Sequence, residues 1–240
     1  MYRPFFMLLR DPFYDKAAKR INITYASVGL SAEEKVKSEI AHYDVRHCFE
    51  ATLYHFGRML RGNHFNNSKA MGFERDALIS SLYCVRDHLL QELNVFFCLG
   101  IPEKKVFFNE QFKDRLKRKL ESLDLGQGSS ILDMLEELND EKWFGYLKDH
   151  RHTIQHRVSK PEVLVTSLRW DNEPPQPALN RELLAIYGED FREAVLKFWP
   201  KAPIYYEWLA TFSLAIKLFR KHVEKIWSEM SNYVNVPKVN

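Results

Sequence analysis

Apolar residues recur three and four apart over unusually long stretches of this chain. Leu78, Leu82, Val85, Leu89, Leu93 and Phe96 form the cleanest run, preceded by Phe73. Only a helix of about 3.6 residues per turn lines such positions along one side, so the spacing predicts a long helix near 71–99. Leu99-Gly100 closes it and Ile101-Pro102 prevents its continuation. A second run, Val36, Ile40 and Tyr43, then Phe49, Leu53, Phe56 and Leu60, predicts one face of a helix near 31–61. Ser31 with Glu34 has the spacing of a capping box, and Arg58 and Arg61 suit the last turn. The link between the two helices, His64 to Lys69, is short and polar. Two long amphipathic helices so joined pack antiparallel.

Further along, Asn109 to Ser122 reads as a third helix, carrying Lys113, Arg115, Lys117, Arg118 and Lys119. Such a basic run more often makes a solvated face than a phosphate site. Gly126-Gln127-Gly128-Ser129-Ser130 is a linker. It lacks the preceding strand and the Gly-Lys-Ser/Thr ending of a phosphate loop. Ser130 starts a helix through Leu138, and Asn139-Asp140 restarts it. After Pro161, Val163 to Trp170 is β-like, and Asp171 to Asn180 holds three prolines. A loop or small β-hairpin insertion is expected over 159–180. Leu183 to Trp199 reads as helix broken at Gly188. The last long helix runs from about Pro203 to Tyr233, with a stripe of Trp208, Phe212, Ala215, Phe219, Ile226 and Met230. The expected class is therefore all-α. It is an up-and-down bundle forming one domain over 1–240, with an irregular lead over 1–30 and a helical core over 31–233.

Hydrophobic residues make up 45% and aromatic residues 14% of the 240, enough for a substantial core. The net charge of +3 is too small to announce nucleic-acid binding, so such a role must rest on a local patch. Cys48, Cys84 and Cys98 are odd in number and lack Cys-x-x-Cys spacing. Each falls in an apolar helical pattern, which predicts buried thiols in a reducing cytoplasm. Arg3, Pro4 and Arg10 bracket the apolar run Phe5 to Leu9 too tightly for a secretory signal. No uncharged run reaches membrane-spanning length, so no membrane is expected.

Chemistry concentrates in Asp149-His150-Arg151-His152-Thr153-Ile154-Gln155-His156-Arg157, where five of nine residues are His or Arg. Trp143, Phe144, Tyr146 and Leu147 precede it as an apolar helix face, and Ser159-Lys160-Pro161 follows as a break. Basic residues also favour helix C-termini for electrostatic reasons alone. Arg151 to His156 reads R-x4-H, with a His directly after the Arg. Arg58 to His64 also fits R-x(4–6)-H, but Met59 follows Arg58 and His64 falls past the helix end.

A long-helix bundle carrying R-x(4–6)-H on a late helix, with a polar residue after the Arg, resembles the HEPN superfamily over roughly 31–233. The resemblance implies a metal-independent endoribonuclease acting on RNA, used as a toxin or as a defence or stress effector, with no cofactor. It implies a homodimer whose two motifs meet at a two-fold interface, and an antitoxin or nucleotidyltransferase as partner. Arg151, His152 and His156 would then be catalytic, with Arg157 and Lys160 binding substrate. The chemistry suits these residue types. RNA carries its own nucleophile in the ribose 2′-OH. A His near neutral pKa can take its proton or protonate the leaving 5′-oxygen, and a guanidinium can hold the phosphate.

Positions five apart on a regular helix stand about 140° apart around the axis. Arg151 and His156 therefore do not share one narrow face. Either the helix is irregular there or a second protomer completes the site. Two other functions fit the same residues. One is a non-catalytic HEPN-like module that binds nucleotide, RNA or protein. The other is a metal-dependent helical hydrolase using His152 and His156 at i, i+4. For the latter, no Glu follows His152 in the H-E-x-x-H manner, and no distant ligand motif is evident.

Overall fold

A computed structural model describes residues 31–61, 68–123, 130–140, 142–155, 177, 179–199 and 205–232. Among them every regular element is helical, with no strand. We number the α-helices α1 (Ala32–Leu60), α2 (Ser68–Phe96), α3 (Glu110–Ser122), α4 (Ser130–Asp140), α5 (Lys142–Gln155), α6 (Arg181–Tyr187), α7 (Glu189–Phe198) and α8 (Tyr206–Asn232). A 3-10 turn at Glu103–Lys105 lies between α2 and α3. The expected all-α class is thus observed. The lead over 1–30, the linker from Gly126 to Ser129 and the β-like run Val163 to Trp170 lie outside the described residues. No helix among the described residues is long and apolar enough to cross a membrane.

Local chemistry sets the helix ends. At the start of α1 the Ser31 backbone N–H donates to Glu34 Oε2 at 2.8 Å, and the Glu34 N–H donates to Ser31 Oγ at 3.3 Å. This is the reciprocal capping box expected from the sequence. Asn109 caps α3 by accepting from the Phe112 N–H at 3.0 Å. Helix α2 ends through Cys98, whose φ of 51° is left-handed. Asn94 then clamps the turn: its amide donates to the Ile101 carbonyl at 2.9 Å and accepts from the Ile101 N–H at 3.1 Å. Gly188, at φ 61° and ψ −141°, separates α6 from α7, a backbone angle that a side chain would strain.

Two compact units divide the chain: Met1–Ala51, Ser81–Asp140 and Phe219–Asn240 form one, and Thr52–Ser80 with Glu141–Leu218 the other. In the first unit, α1 and α2 run antiparallel. His42 faces Glu92 at 2.7 Å and, further along, Asp44 faces His88 at 3.8 Å. The core includes Val45 and Phe49 of α1, Leu82, Val85, Leu89, Leu93 and Phe96 of α2, and Phe219, Val223, Ile226, Trp227 and Met230 of α8. Helices α3 and α4 add Phe112, Leu116, Leu120, Ile131, Leu135 and Leu138, all buried. Lys113 bridges α3 to Glu136 of α4 at 3.2 Å, and Lys225 of α8 reaches Glu137 of α4 at 3.4 Å.

The second unit holds the facing ends of α1 and α2, where Glu74 takes a hydrogen bond from Arg58 and another with His55 at 2.8 Å. Phe56 meets Phe198 of α7 edge-on, with centroids 6.5 Å apart. Arg75 of α2 lies over the Trp208 ring of α8 at 4.7 Å. Buried here are Trp143, Phe144 and Leu147 of α5, Leu183, Phe191, Val195 and Phe198 of α6 and α7, and Leu209, Phe212, Ala215 and Ile216 of α8.

Three sequence expectations are corrected. The face assigned to α1 is displaced at its two ends: Val36, Ile40, Tyr43 and Leu60 are exposed, while Ser38, Ala41, His42, Val45 and Thr52 are buried. Of the expected face, Phe49 is buried and Leu53 and Phe56 are half-buried, so the apolar pattern holds in the middle of α1, while the inward side also carries Ser38, His42 and Thr52. A helix tolerates polar groups inward when they find partners, as His42 does in Glu92. On α2, Phe73 is 73% exposed and stands off the buried stripe, which already includes Met71. The cysteines are not buried either: Cys48 and Cys84 are part-exposed and Cys98 is exposed.

Candidate functional site

The first part of the motif, Asp149 to Gln155, lies on α5. The first half of this helix is anchored by Trp143 and Phe144, each 2% exposed, and by Leu147, which is fully buried. These are the residues the sequence assigned to an apolar face. The helical backbone continues through His150, Arg151 and His152 to Gln155, so both residues expected to be catalytic on the helix stand in its last turns. Arg151 follows Phe144 by seven residues and Leu147 by four, which gives the three one register on the helix backbone. Asp149 is exposed. His156, Arg157 and Lys160 lie outside the described residues, as do the side chains of Arg151 and His152.

One turn before the motif, Tyr146 is half-buried within the second unit. Burial, then the nearby carboxylates of Glu182 and Glu207, push its phenol up to about 12, against the opposing charge of Arg75. It keeps its proton at neutral pH. Burial also raises the Glu207 carboxyl, offset in part by a hydrogen bond from Asn180. Asn180 is two-sided, since its side-chain oxygen caps α6 by accepting from the N–H groups of Glu182 and Leu183 at 3.0 and 3.3 Å. Arg75 donates from Nε to Asp76 at 2.9 Å while covering Trp208. Residues from α2, α5, α6 and α8 thus form a polar cluster beside the anchored half of α5. Sequence reading did not find it, because the four segments carry no common spacing.

The competing R-x(4–6)-H pair is accounted for at its first member. Arg58 donates to Glu74 and lies over the Tyr54 ring at 5.9 Å, and those hydrogen bonds hold its guanidinium firmly protonated. His64 lies outside the described residues. The basic run on α3 is partly committed to structure. Arg115 donates to the carbonyls of Leu99 and Gly100 at 2.7 and 2.9 Å, and Lys113 pairs with Glu110 and Glu136. Lys117 and Arg118 are exposed, the solvated face expected of such a run. Among the described residues no three His, Cys, Asp or Glu side chains are grouped to hold a metal ion. The His152 and His156 side chains are not among those described.

No protein-family model, curated protein or solved structure matches the chain.

Proposed function

We propose that this chain is a metal-independent endoribonuclease of HEPN type, serving as a toxin or as a defence or stress effector in the cytoplasm. The observation that carries the reading is the sequence Arg151-His152-x-x-x-His156, whose Arg151 and His152 stand in the last turns of a helix anchored by Trp143, Phe144 and Leu147. A rigid support of this kind holds reactive groups in place. Arg151 grips the scissile phosphate with its planar fork and offsets the charge that grows on the equatorial oxygens. His156 moves the proton, taking it from the 2′-OH or giving it to the departing 5′-oxygen. His152 hydrogen-bonds to phosphate or orients its neighbours, and Arg157 and Lys160 hold the RNA backbone. One His cannot be acid and base in the same step. A homodimer that joins two motifs across a two-fold axis supplies both. An antitoxin or a nucleotidyltransferase is the partner class that goes with such an enzyme.

The test is cleavage of RNA by pure protein in excess chelator, with the products' ends identified. Attack by the internal 2′-OH leaves 2′,3′-cyclic phosphate and 5′-hydroxyl ends. Loss of activity in chelator would point instead to the metal-dependent use of His152 and His156. Absence of cleavage at every protein concentration would leave the binding-module reading.

A further inference from the structure

Helices α1 and α2 are in register through pairs that step together along both. Asp44 of α1 faces His88 of α2 at 3.8 Å. One turn further along α1 is Cys48, and one turn back along antiparallel α2 is Cys84. The two thiols are within hydrogen-bonding reach of each other, and both are part-exposed. The pair lies wholly within the first unit. Its surroundings are acidic, with Asp44 and Asp87 beside it. The hydrogen bond to Cys84, then burial and these charges, raise the Cys48 thiol far above its ordinary range.

We infer that Cys48 and Cys84 form a peroxide-responsive dithiol that closes reversibly to a disulfide between α1 and α2. The Cys84 sulfur attacks a peroxide oxygen; with hydrogen peroxide the O–O bond breaks, the Cys84 thiol proton leaves with the displaced hydroxide as water, and a sulfenic acid remains on Cys84. The Cys48 sulfur then attacks the Cys84 sulfur, forming the S–S bond. Its thiol proton leaves with the displaced hydroxyl as a second water. The sulfurs lose two electrons in all and the peroxide gains them. A second thiol compound reverses the reaction by exchange. The bridge would enclose residues 49–83 and tie the two longest helices of the described chain at one level. The neighbouring Asp44 and His88 do not turn the pair into a metal site as placed, since no metal-holding group of three occurs among the described residues. Cys98 does not belong to the pair, because its thiol donates to Glu34 Oε1 at 3.8 Å. The inference stands independently of the RNA-cleaving reading.

The test exposes the reduced full-length chain to hydrogen peroxide, alkylates what remains, and maps the peptides by mass. The expected result is one intramolecular Cys48–Cys84 disulfide, reversed by dithiothreitol and retained in Cys98→Ser. It should be lost in Cys48→Ser and in Cys84→Ser. The double replacement Asp44→Asn, Asp87→Asn should speed bridge formation several-fold, because both carboxylates disfavour the thiolate. Wild-type protein in which both thiols stay alkylatable, or in which each is oxidised separately to sulfinic acid without a bridge, would overturn the inference. The wild-type peptide map decides the matter even if a serine variant fails to fold.

Discussion

Nδ1 of His42 lies 2.7 Å from Oε1 of Glu92, with the two side chains only 7% and 3% exposed. The other carboxylate oxygen of Glu92 accepts from the Trp227 indole N–H at 2.8 Å, and the His42 and Trp227 rings are 4.4 Å apart. Three helices, α1, α2 and α8, are thereby joined through one buried carboxylate. Glu92→Leu removes the acceptor for two enclosed groups. It should destabilise the protein by about 2–6 kcal/mol, since each of two buried polar groups left without a partner costs about 1–3 kcal/mol. Glu92→Gln keeps one acceptor and should cost less, about 1.5–3 kcal/mol. Urea denaturation measures both, and a Glu92→Leu loss under about 1 kcal/mol would show that the knot contributes little.

Glu74 is predicted to govern part of the acid limb of stability. Burial alone would raise its carboxyl, but the hydrogen bonds from His55 and Arg58 and the charge of Arg58 more than reverse this. Its folded pKa lies below the ordinary carboxylate value. The unfolded chain therefore binds the proton first as pH falls. The stabilisation from Glu74 is fully present above the unfolded value and is lost as pH drops through the folded one. Glu74→Gln should lower stability at neutral pH and flatten its fall below the ordinary carboxylate range. An unchanged acid limb in thermal melts would contradict this.

Much of this fold is legible in the sequence, for a physical reason. Helix ends depend on neighbours three or four residues away, so Ser31 with Glu34, Asn109 and Gly188 announce theirs locally. Burial depends on partners far away in the chain. Nothing near His42 shows that Glu92 and Trp227 will meet it, so the apolar spacing of α1 does not reveal that Ser38, His42 and Thr52 face inward. Cys48 and Cys84 illustrate the same limit, since their spacing matches no motif and only the helix register brings them together. Of the candidate site, the apolar anchor of α5 was legible from Trp143, Phe144 and Leu147. The cluster of Arg75, Tyr146, Asn180 and Glu207 was not, because each comes from a different segment.

Assembly is a prediction of the chemistry proposed, which needs two histidines. Sedimentation at micromolar concentration should show a homodimer with an isologous interface. Mixing Arg151→Ala with His156→Ala chains should restore some cleavage if each composite site draws residues from both protomers. A monomer at all concentrations would remove the two-histidine mechanism.

Arg151→Lys should not rescue the loss seen in Arg151→Ala, because a compact ammonium cannot reproduce the planar two-pronged contact with phosphate. Arg58→Ala gives the opposite control. Arg58 serves Glu74 and Tyr54, so its removal should weaken the fold while cleavage per folded molecule stays near wild type. His64→Ala should likewise leave cleavage near wild type. Comparable loss of cleavage from Arg58→Ala and Arg151→Ala, both folded, would dissolve the distinction between the two R-x(4–6)-H pairs.

The most direct measurement is the rate of RNA cleavage by wild-type protein and by the Arg151→Ala, His156→Ala double variant, both in excess chelator and both checked for helical content. General acid–base catalysis by a positioned His is worth about 10²- to 10⁴-fold, so the variant should fall by at least that factor. The wild type should leave 2′,3′-cyclic phosphate ends. Equal cleavage by the two proteins would contradict the assignment of Arg151 and His156.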